Sequence, residues 1–511
     1  MRNAIILSAA VLIASPIALR AAELKLATVF SDHMVLQRDK PVPIWGVADA
    51  GETVTVAFAG QKNSAQADAT GKWTVKLAPL TASAEPRELR ILADHHPTSV
   101  VVHDVLVGEV WLGSGQSNMA RSVSDARDFS MEKSLANWPL LRMFKENSKP
   151  AKAPQADAHG QWTVCSSNTV GGYSATLYFF GRDLHRELQV PVGLINSSVG
   201  GTPIESWLAE ESQSRMPELK PAMEKYRKEN EWLGSPAAAA EFERQPGPQN
   251  PWWSPPKQLE ARGDLGNLFN GKIAPLIPYA LRGVVWYQGE QNAAPGMGQY
   301  YQYELPLLVN DWRAHWHEEL PFAWVQLPNY ATSGEWETGW MLVREAMLKT
   351  LHLPHTGMAI TVDIGEPKDI HPKNKQDVGH RLALWALGDV YGVKVPATSG
   401  PLPAHHEVRG AEMVLSFTHA EGGLLTKAGN LKGFLIAADD RQWKPAQARI
   451  QNEQVLVSSP EVANPVAARY DWAANPDGNL YNGAGLPASP FRTDDWPLSE
   501  AAHTTPTPPT K

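Results

Sequence analysis

A serine, a histidine and a carboxylate can share the cleavage of an ester, provided the fold brings them together. In "VWLGSGQSNMA", residues 110–120, Ser117 follows Gly115 and Gln116 at the end of an apolar run and precedes the helix-like "NMARSV". A serine at a helix start has an unpaired N–H and lies where the helix dipole favours negative charge. That suits a hydroxyl attacking a carbonyl, with the Ser117 N–H stabilising the oxyanion. Gly115 lets backbone and substrate approach closely. The same residues also read as a polar turn, with Ser117 as a helix N-cap and Ser114 as an equally polar neighbour. The stretch is not G-x-S-x-G, because Met119 stands where the last glycine would be.

A nucleophilic serine needs a base. Of the 16 histidines, His371 has the distinctive setting. It lies in "VDIGEPKDIHPKNK", after the apolar "GMAITV" and before a long helical pattern, with Asp369 two residues earlier. In extended backbone that spacing puts both side chains on one face. Asp363 and Glu366 are alternative acids, and a Ser-His dyad oriented by a backbone carbonyl is a further option. Taken alone, His371 also reads as a solvated loop residue. Cys165, the single cysteine, sits in "QWTVCSSN" and reads as a small buried apolar residue; no internal disulfide can form. His315 and His317 in "HWHEE" lack an H-E-x-x-H frame, and a helical i,i+2 pair points to different faces, so no metal and no cofactor is expected.

These groups need strand ends to hold them. From 106 to about 400, apolar strand-like runs alternate with helical patterns: "VPVGLINSS" after "SATLYFFGRDLHREL", "RGVVWYQGE" after "GKIAPLIPYAL", "PFAWVQLP" after "YYQYELPLLVNDWRAHW". Repeated units of this kind predict an α/β fold, a parallel sheet flanked by helices on both faces. Ligands on such sheets sit beyond the carboxyl ends of the strands. The polar turns are expected there, after Leu112, Ile195, Tyr287 and Val362. Residues 23–105 read as an N-terminal β-sandwich domain, and 401–498 as a C-terminal β-rich region. About 215–262 reads as an insertion or loop, and 499–511 as a disordered tail.

The chain has 511 residues, 43% hydrophobic and 20% charged, so several domains are expected. A net charge of −8 with no basic run argues against nucleic acid. The 19 tryptophans suit a large aromatic core, and some of them suit stacking on sugar rings. Residues 1–22 combine Arg2, a short apolar stretch and small residues near Ala21 and Ala22, the pattern of an export signal. The mature protein is therefore expected outside the cytoplasm, periplasmic or secreted, with no membrane span.

Four blocks, "GSGQSNM", "NSSVGGTPIESW", "VVWYQGEQNA" and "DIHPKNKQDVGHRLA", together with "GNLFNGKIAPL" and "NLYNGAGLPASPFRTDDW", resemble the sialate O-acetylesterase family of SGNH (GDSL-like) hydrolases. The resemblance runs from about residue 25 to 496. It implies an SGNH-type sheet and an exported carbohydrate O-acetylesterase, acting on 9-O-acetyl sialic acid or on acetylated plant polysaccharides. It makes Ser117 the nucleophile and His371 the base, with Asp369 the first choice of orienting acid from its spacing and Asp363 and Glu366 as alternatives. Oxyanion donors would be the N–H groups of Ser117 and of Gly200 or Gly201, with a side-chain amide from Gln288 first and Asn292 second. Gln116, Glu290 and Arg344 would contact substrate, Glu290 alternatively orienting its neighbours. For a sialate carboxylate, Arg344 and Arg121 are the candidate cations. Two positions depart from the family: Lys368 stands where the acid usually lies, and Gln291 where Ser is frequent. A non-catalytic carbohydrate-binding protein would instead show a broken nucleophile or base, and both are present.

Overall fold

The computed structural model describes residues 24–96, 98–244 and 254–498. The expected export signal, the expected 499–511 tail and "QPGPQNPWW", 245–253, lie outside these residues. The sheet that carries the site is mixed. Seven of its eleven strands surround the site: β1 (Val100–Gly115), β2 (Asn137–Glu146), β3 (Gly160–Ser166), β4 (Val192–Ser198), β5 (Gly283–Tyr287), β6 (Phe322–Val325) and β7 (Thr356–Ala359). They lie in the order β3-β2-β4-β1-β5-β6-β7. All neighbours are parallel except β3, which runs antiparallel to β2 at the edge.

Alternation along β1 supplies two cores. Val110 and Leu112 point into one apolar cluster and Trp111 into the other. Ala175–Leu188 and Lys375–Trp385 cover one face; Tyr301–Trp316 and Glu335–Thr350 cover the other. Burial on both faces explains why these strands read as continuous apolar runs. Most tryptophans do core work: Trp111, Trp207, Trp286, Trp312, Trp324 and Trp340 are fully buried. Cys165 is buried too, and burial pushes its thiol up to about 12.

The register places the functional turns side by side. Gly115 pairs with Ser198 of β4 and with Tyr287 of β5. The turn expected after Leu112 begins only after Gly115, because Gly113, Ser114 and Gly115 continue the strand. Small residues are forced there by crowding. A Cβ on Gly113 would lie 2.5 Å from the Leu177 side chain, and one on Gly115 2.2 Å from the Tyr287 carbonyl oxygen. Gly115 also has φ +130°, which an L side chain resists.

The boundary expected at 105–106 falls inside β1, which is one strand of 16 residues. Its first half pairs with Ser83–Ala93 and with Val35–Gln37, its second half with β4 and β5. A separate three-stranded sheet joins Lys25–Leu26, Val42–Val47 and Lys72–Leu77. The segment 215–262, expected as an insertion or loop, is helical at Lys220–Leu233, Pro236–Arg244 and Pro255–Arg262. C-terminal strands form two four-stranded sheets and a two-stranded one. No helix among the described residues is long and apolar enough to cross a membrane.

Candidate active site

Ser117 begins a four-residue helix directly beyond β1, so it is the first helical residue and Gln116 is the N-cap. Its Oγ lies 2.8 Å from Nε2 of His371. His371 arrives on the loop after β7, and Asn118 ties that loop to the serine. Asn118 Nδ2 donates to the Ile370 carbonyl at 3.0 Å and to Glu290 Oε1 at 2.5 Å. Asn118 Oδ1 accepts from Lys375 Nζ at 2.6 Å, and Lys375 also donates to the Pro372 carbonyl. Burial pulls the Lys375 ammonium down to about 7 and pushes the Glu290 carboxyl up, Asn118 and Lys375 opposing the latter. Glu290, expected to meet a sugar or orient its neighbours, is 2% exposed and grips Asn118.

Of the three candidate acids, Asp369 is the one beside the base. Its Oδ1 accepts the His371 N–H at 2.9 Å and stands 3.8 Å from Nδ1. Asp363 is held by both terminal nitrogens of Arg381, at 2.6 and 2.9 Å, and by the Tyr481 hydroxyl at 3.2 Å. Glu366 accepts the Lys373 N–H. The nearest partner of His371 Nδ1 is Arg121, whose Nη2 lies 3.3 Å away. Burial first, then Arg121, lowers the His371 imidazolium to about 4, with Asp369 opposing.

Gly200 completes the pocket: a Cβ there would touch the Ser117 Cβ at 3.4 Å. Gly201 follows with φ +70°. The two amides expected to face the oxyanion are turned inward. Gln288 is fully buried, and its Nε2 has Gln116 Oε1, the Thr202 carbonyl and Asn292 Oδ1 within 3.2 Å. Asn292 is also fully buried; its Nδ2 donates to Glu205 at 2.9 Å and to Glu304 at 3.3 Å. These acceptors already use the two hydrogens of each amide. They brace the turns after β4 and β5 against each other. Gln116 gives its oxygen to Gln288 and to the Gln291 N–H, which leaves its NH2 end over.

Arg344 is not at the site. It is 1% exposed, and its guanidinium donates to the carbonyls of Leu327, Pro328, Ala473 and Ala474. This cage clamps the C-terminal β-region to the catalytic sheet. The other candidate cation, Arg121, does border the site. A cleft of about 670 Å³ is lined by Arg121, Gly200, Gly201, Lys149, Lys257 and Glu260. A second, of about 390 Å³, is lined by Arg121, Asp125, Asp369, His371 and Lys375. Arg121 lines both. His315 bonds to the Asp311 carbonyl, and His317 ends its helix with φ 52°.

Ser117, His371 and Asp369, the three residues the sequence singles out for ester cleavage, lie together in the structure. Asn118, Lys375, Glu205 and Glu304, which the sequence does not single out, bond around them. Their signal was present, in "SNM", "HPKNK", "PIESW" and "YQYEL", but nothing in a sequence shows which buried polar groups meet.

Known proteins are similar to this chain over most of its length. Residues 107–229 and 270–387 match the family described as carbohydrate esterase, sialic acid-specific acetylesterase. The sialate O-acetylesterase of Rattus norvegicus is 30% identical over 524 residues, covering 91% of this chain and 94% of that protein. The sialate O-acetylesterase of Homo sapiens is 30% identical over 513 residues, 91% of this chain and 92% of that one. A crystal structure of a carbohydrate acetylesterase from Xanthomonas citri superposes with a TM-score of 0.80 at 37% identity, over 93% of this chain and all of that one. The chain belongs to the sialate O-acetylesterase family and is a carboxylic ester hydrolase.

Proposed function

We propose that this protein removes O-acetyl groups from carbohydrate, with O-acetylated sialic acid as the first substrate, through an acetyl-Ser117 intermediate. The carrying observation is the 2.8 Å approach of Ser117 Oγ to His371 Nε2. Ser117 Oγ attacks the acetyl carbonyl while His371 Nε2 takes its proton. The oxyanion that forms is met by the backbone N–H groups of Ser117 and Gly200. One such donor is worth about 10²–10³ in rate. The imidazolium then gives its proton to the departing sugar oxygen. Water, deprotonated by His371, attacks the acetyl carbon, releases acetate and restores Ser117. Asp369 is the acid that holds the imidazole. Gln288 and Asn292 act one layer behind, by fixing the turns that carry Gly200 and Gln116.

The parallel strand order supports an SGNH-type sheet, and the strands before β1 are read as a sandwich fused to it. The apolar N-terminus supports export. Sialate is placed first because Arg121, Lys149 and Lys257 outweigh Glu260 around the larger cleft, in a chain of net charge −8. That cleft suits an anionic sugar.

Acetate release from O-acetylated sialic acid, from acetylated xylo-oligosaccharides and from p-nitrophenyl acetate tests the reading. Ser117→Ala is expected to lose at least about 10³-fold on all three. Undiminished turnover in Ser117→Ala would sink the mechanism. Faster turnover of the xylo-oligosaccharide would move the substrate to a neutral polysaccharide.

A further inference from the structure

A guanidinium has hydrogens to give and no lone pair to accept with. Arg121 Nη2, 3.3 Å from His371 Nδ1, can therefore bond only to an unprotonated Nδ1. A neutral imidazole with a bare Nδ1 carries its proton on Nε2. In that tautomer the 2.8 Å contact to Ser117 runs from Nε2–H to Oγ, the reverse of what a general base needs. The acid that would draw the proton to Nδ1 is close, but Asp369 Oδ1 stands 3.8 Å away and is occupied by the His371 backbone N–H at 2.9 Å. Arg121 holds the better position. Its side chain is 44% exposed and lines both clefts. A second anion, Asp125, lies 3.8 Å from its Nη1. The guanidinium is thus poised between the base and the substrate cleft.

We propose that Arg121 is a latch on the catalytic base, keeping His371 in the unreactive tautomer until a carboxylate on the bound acetylated sugar takes the guanidinium. On release, His371 gains a proton at Nδ1 from solvent and loses the one on Nε2 to solvent. Its charge is unchanged, Nδ1–H turns to Asp369, and Nε2 is free to accept from Ser117. A neutral sugar leaves the latch closed. Selectivity for acidic sugars then comes from the state of the base as well as from binding. Arg121 is a positioning residue: it acts through His371.

The inference rests on the serine-esterase reading, and Arg121→Gln separates the two. Its test pairs an acetylated methyl glucuronoside with the matching acetylated methyl glucoside. For Arg121→Gln, kcat/KM on the neutral ester is expected to rise about 10-fold, because the competent tautomer no longer competes with the latch. On the acidic ester it is expected to fall about 10–100-fold with the lost charge-assisted bond. With ¹⁵N-labelled histidine, the His371 ring, assigned by its loss in His371→Asn, should show Nε2–H in the wild type and Nδ1–H in Arg121→Gln. Equal losses on both esters, or an unchanged tautomer, overturn the latch. If Ser117→Ala added to Arg121→Gln leaves activity intact, the esterase reading itself fails.

Discussion

Asp369 accepts the backbone N–H of His371 at 2.9 Å while its carboxylate stands 3.8 Å from the ring nitrogen it would orient. One oxygen thus serves the loop before it serves the base. Asp369→Asn should lower kcat about 10–100-fold with little change in KM, less than a tightly bonded triad acid would cost. Asp363→Asn should instead weaken folding by about 3 kcal/mol, because it uncouples Arg381 in a nearly buried pair, and should spare kcat. Steady-state kinetics beside denaturant unfolding distinguishes the two. Loss of kcat in Asp363→Asn with none in Asp369→Asn would transfer the role.

The pH profile has a definite sign. His371 works as a base only when neutral, and its imidazolium is lowered from 6.5 to about 4 by burial and then by Arg121. Wild-type kcat/KM on p-nitrophenyl acetate should stay flat from neutral pH to about 5. It should fall about tenfold per unit below about 4. The same depression acts on stability, since the unfolded chain binds a proton at His371 that the folded chain refuses. This contribution is fully present above 6.5 and is lost as pH falls from there through about 4. An acidic limb centred between pH 6 and 7, where an unshifted imidazole titrates, would contradict the lowering by burial and Arg121.

Gly115→Ala should be damaging out of proportion to its size. The added Cβ would lie 2.2 Å from the Tyr287 carbonyl oxygen, at φ +130°. About 2–4 kcal/mol of stability is expected to go. Turnover should go too, because relief requires β1 and β5 to part where Ser117 and Gln288 leave them. Thermal unfolding and acetate release should fall together; a variant with normal values in both would contradict the close packing.

Asn292→Ala separates a bracing role from direct contact with the oxyanion. Asn292 supplies donors to Glu205 and Glu304 and acceptors to the Ile204 N–H and Gln288. Burial raises both carboxyls, and Glu205 raises Glu304 further. Removing the amide should cost about 2–4 kcal/mol of stability along with activity. A loss of kcat with no change in unfolding would return Asn292 to the oxyanion site.

The sequence made Ser117, His371 and Asp369 legible because each lies in a short polar block bounded by an apolar run. Residue type and local order suffice for that. The αβ alternation was legible for the same reason. Gln288, Asn292 and Arg344 show the limit. Type and neighbourhood marked them as polar groups near a strand end or helix, but the direction of a side chain depends on partners far away in the chain. Glu205 and Glu304 turn Asn292 inward. The carbonyls of Ala473 and Ala474, about 130 residues on, capture Arg344. The boundary near 105 failed differently. A change from alternating to continuous apolar residues marked a change of neighbours along one strand, and it read as a change of domain.

That strand has a practical meaning for anyone dividing the protein. The serine sits at the tip of a beam whose root is built into the N-terminal strands. Cutting at residue 105 would sever the beam and bare two rows of unpaired backbone groups, a seed for aggregation. The N-terminal strands are the footing of the nucleophile, so they have to travel with the catalytic sheet in any minimal enzyme, fusion or permutant.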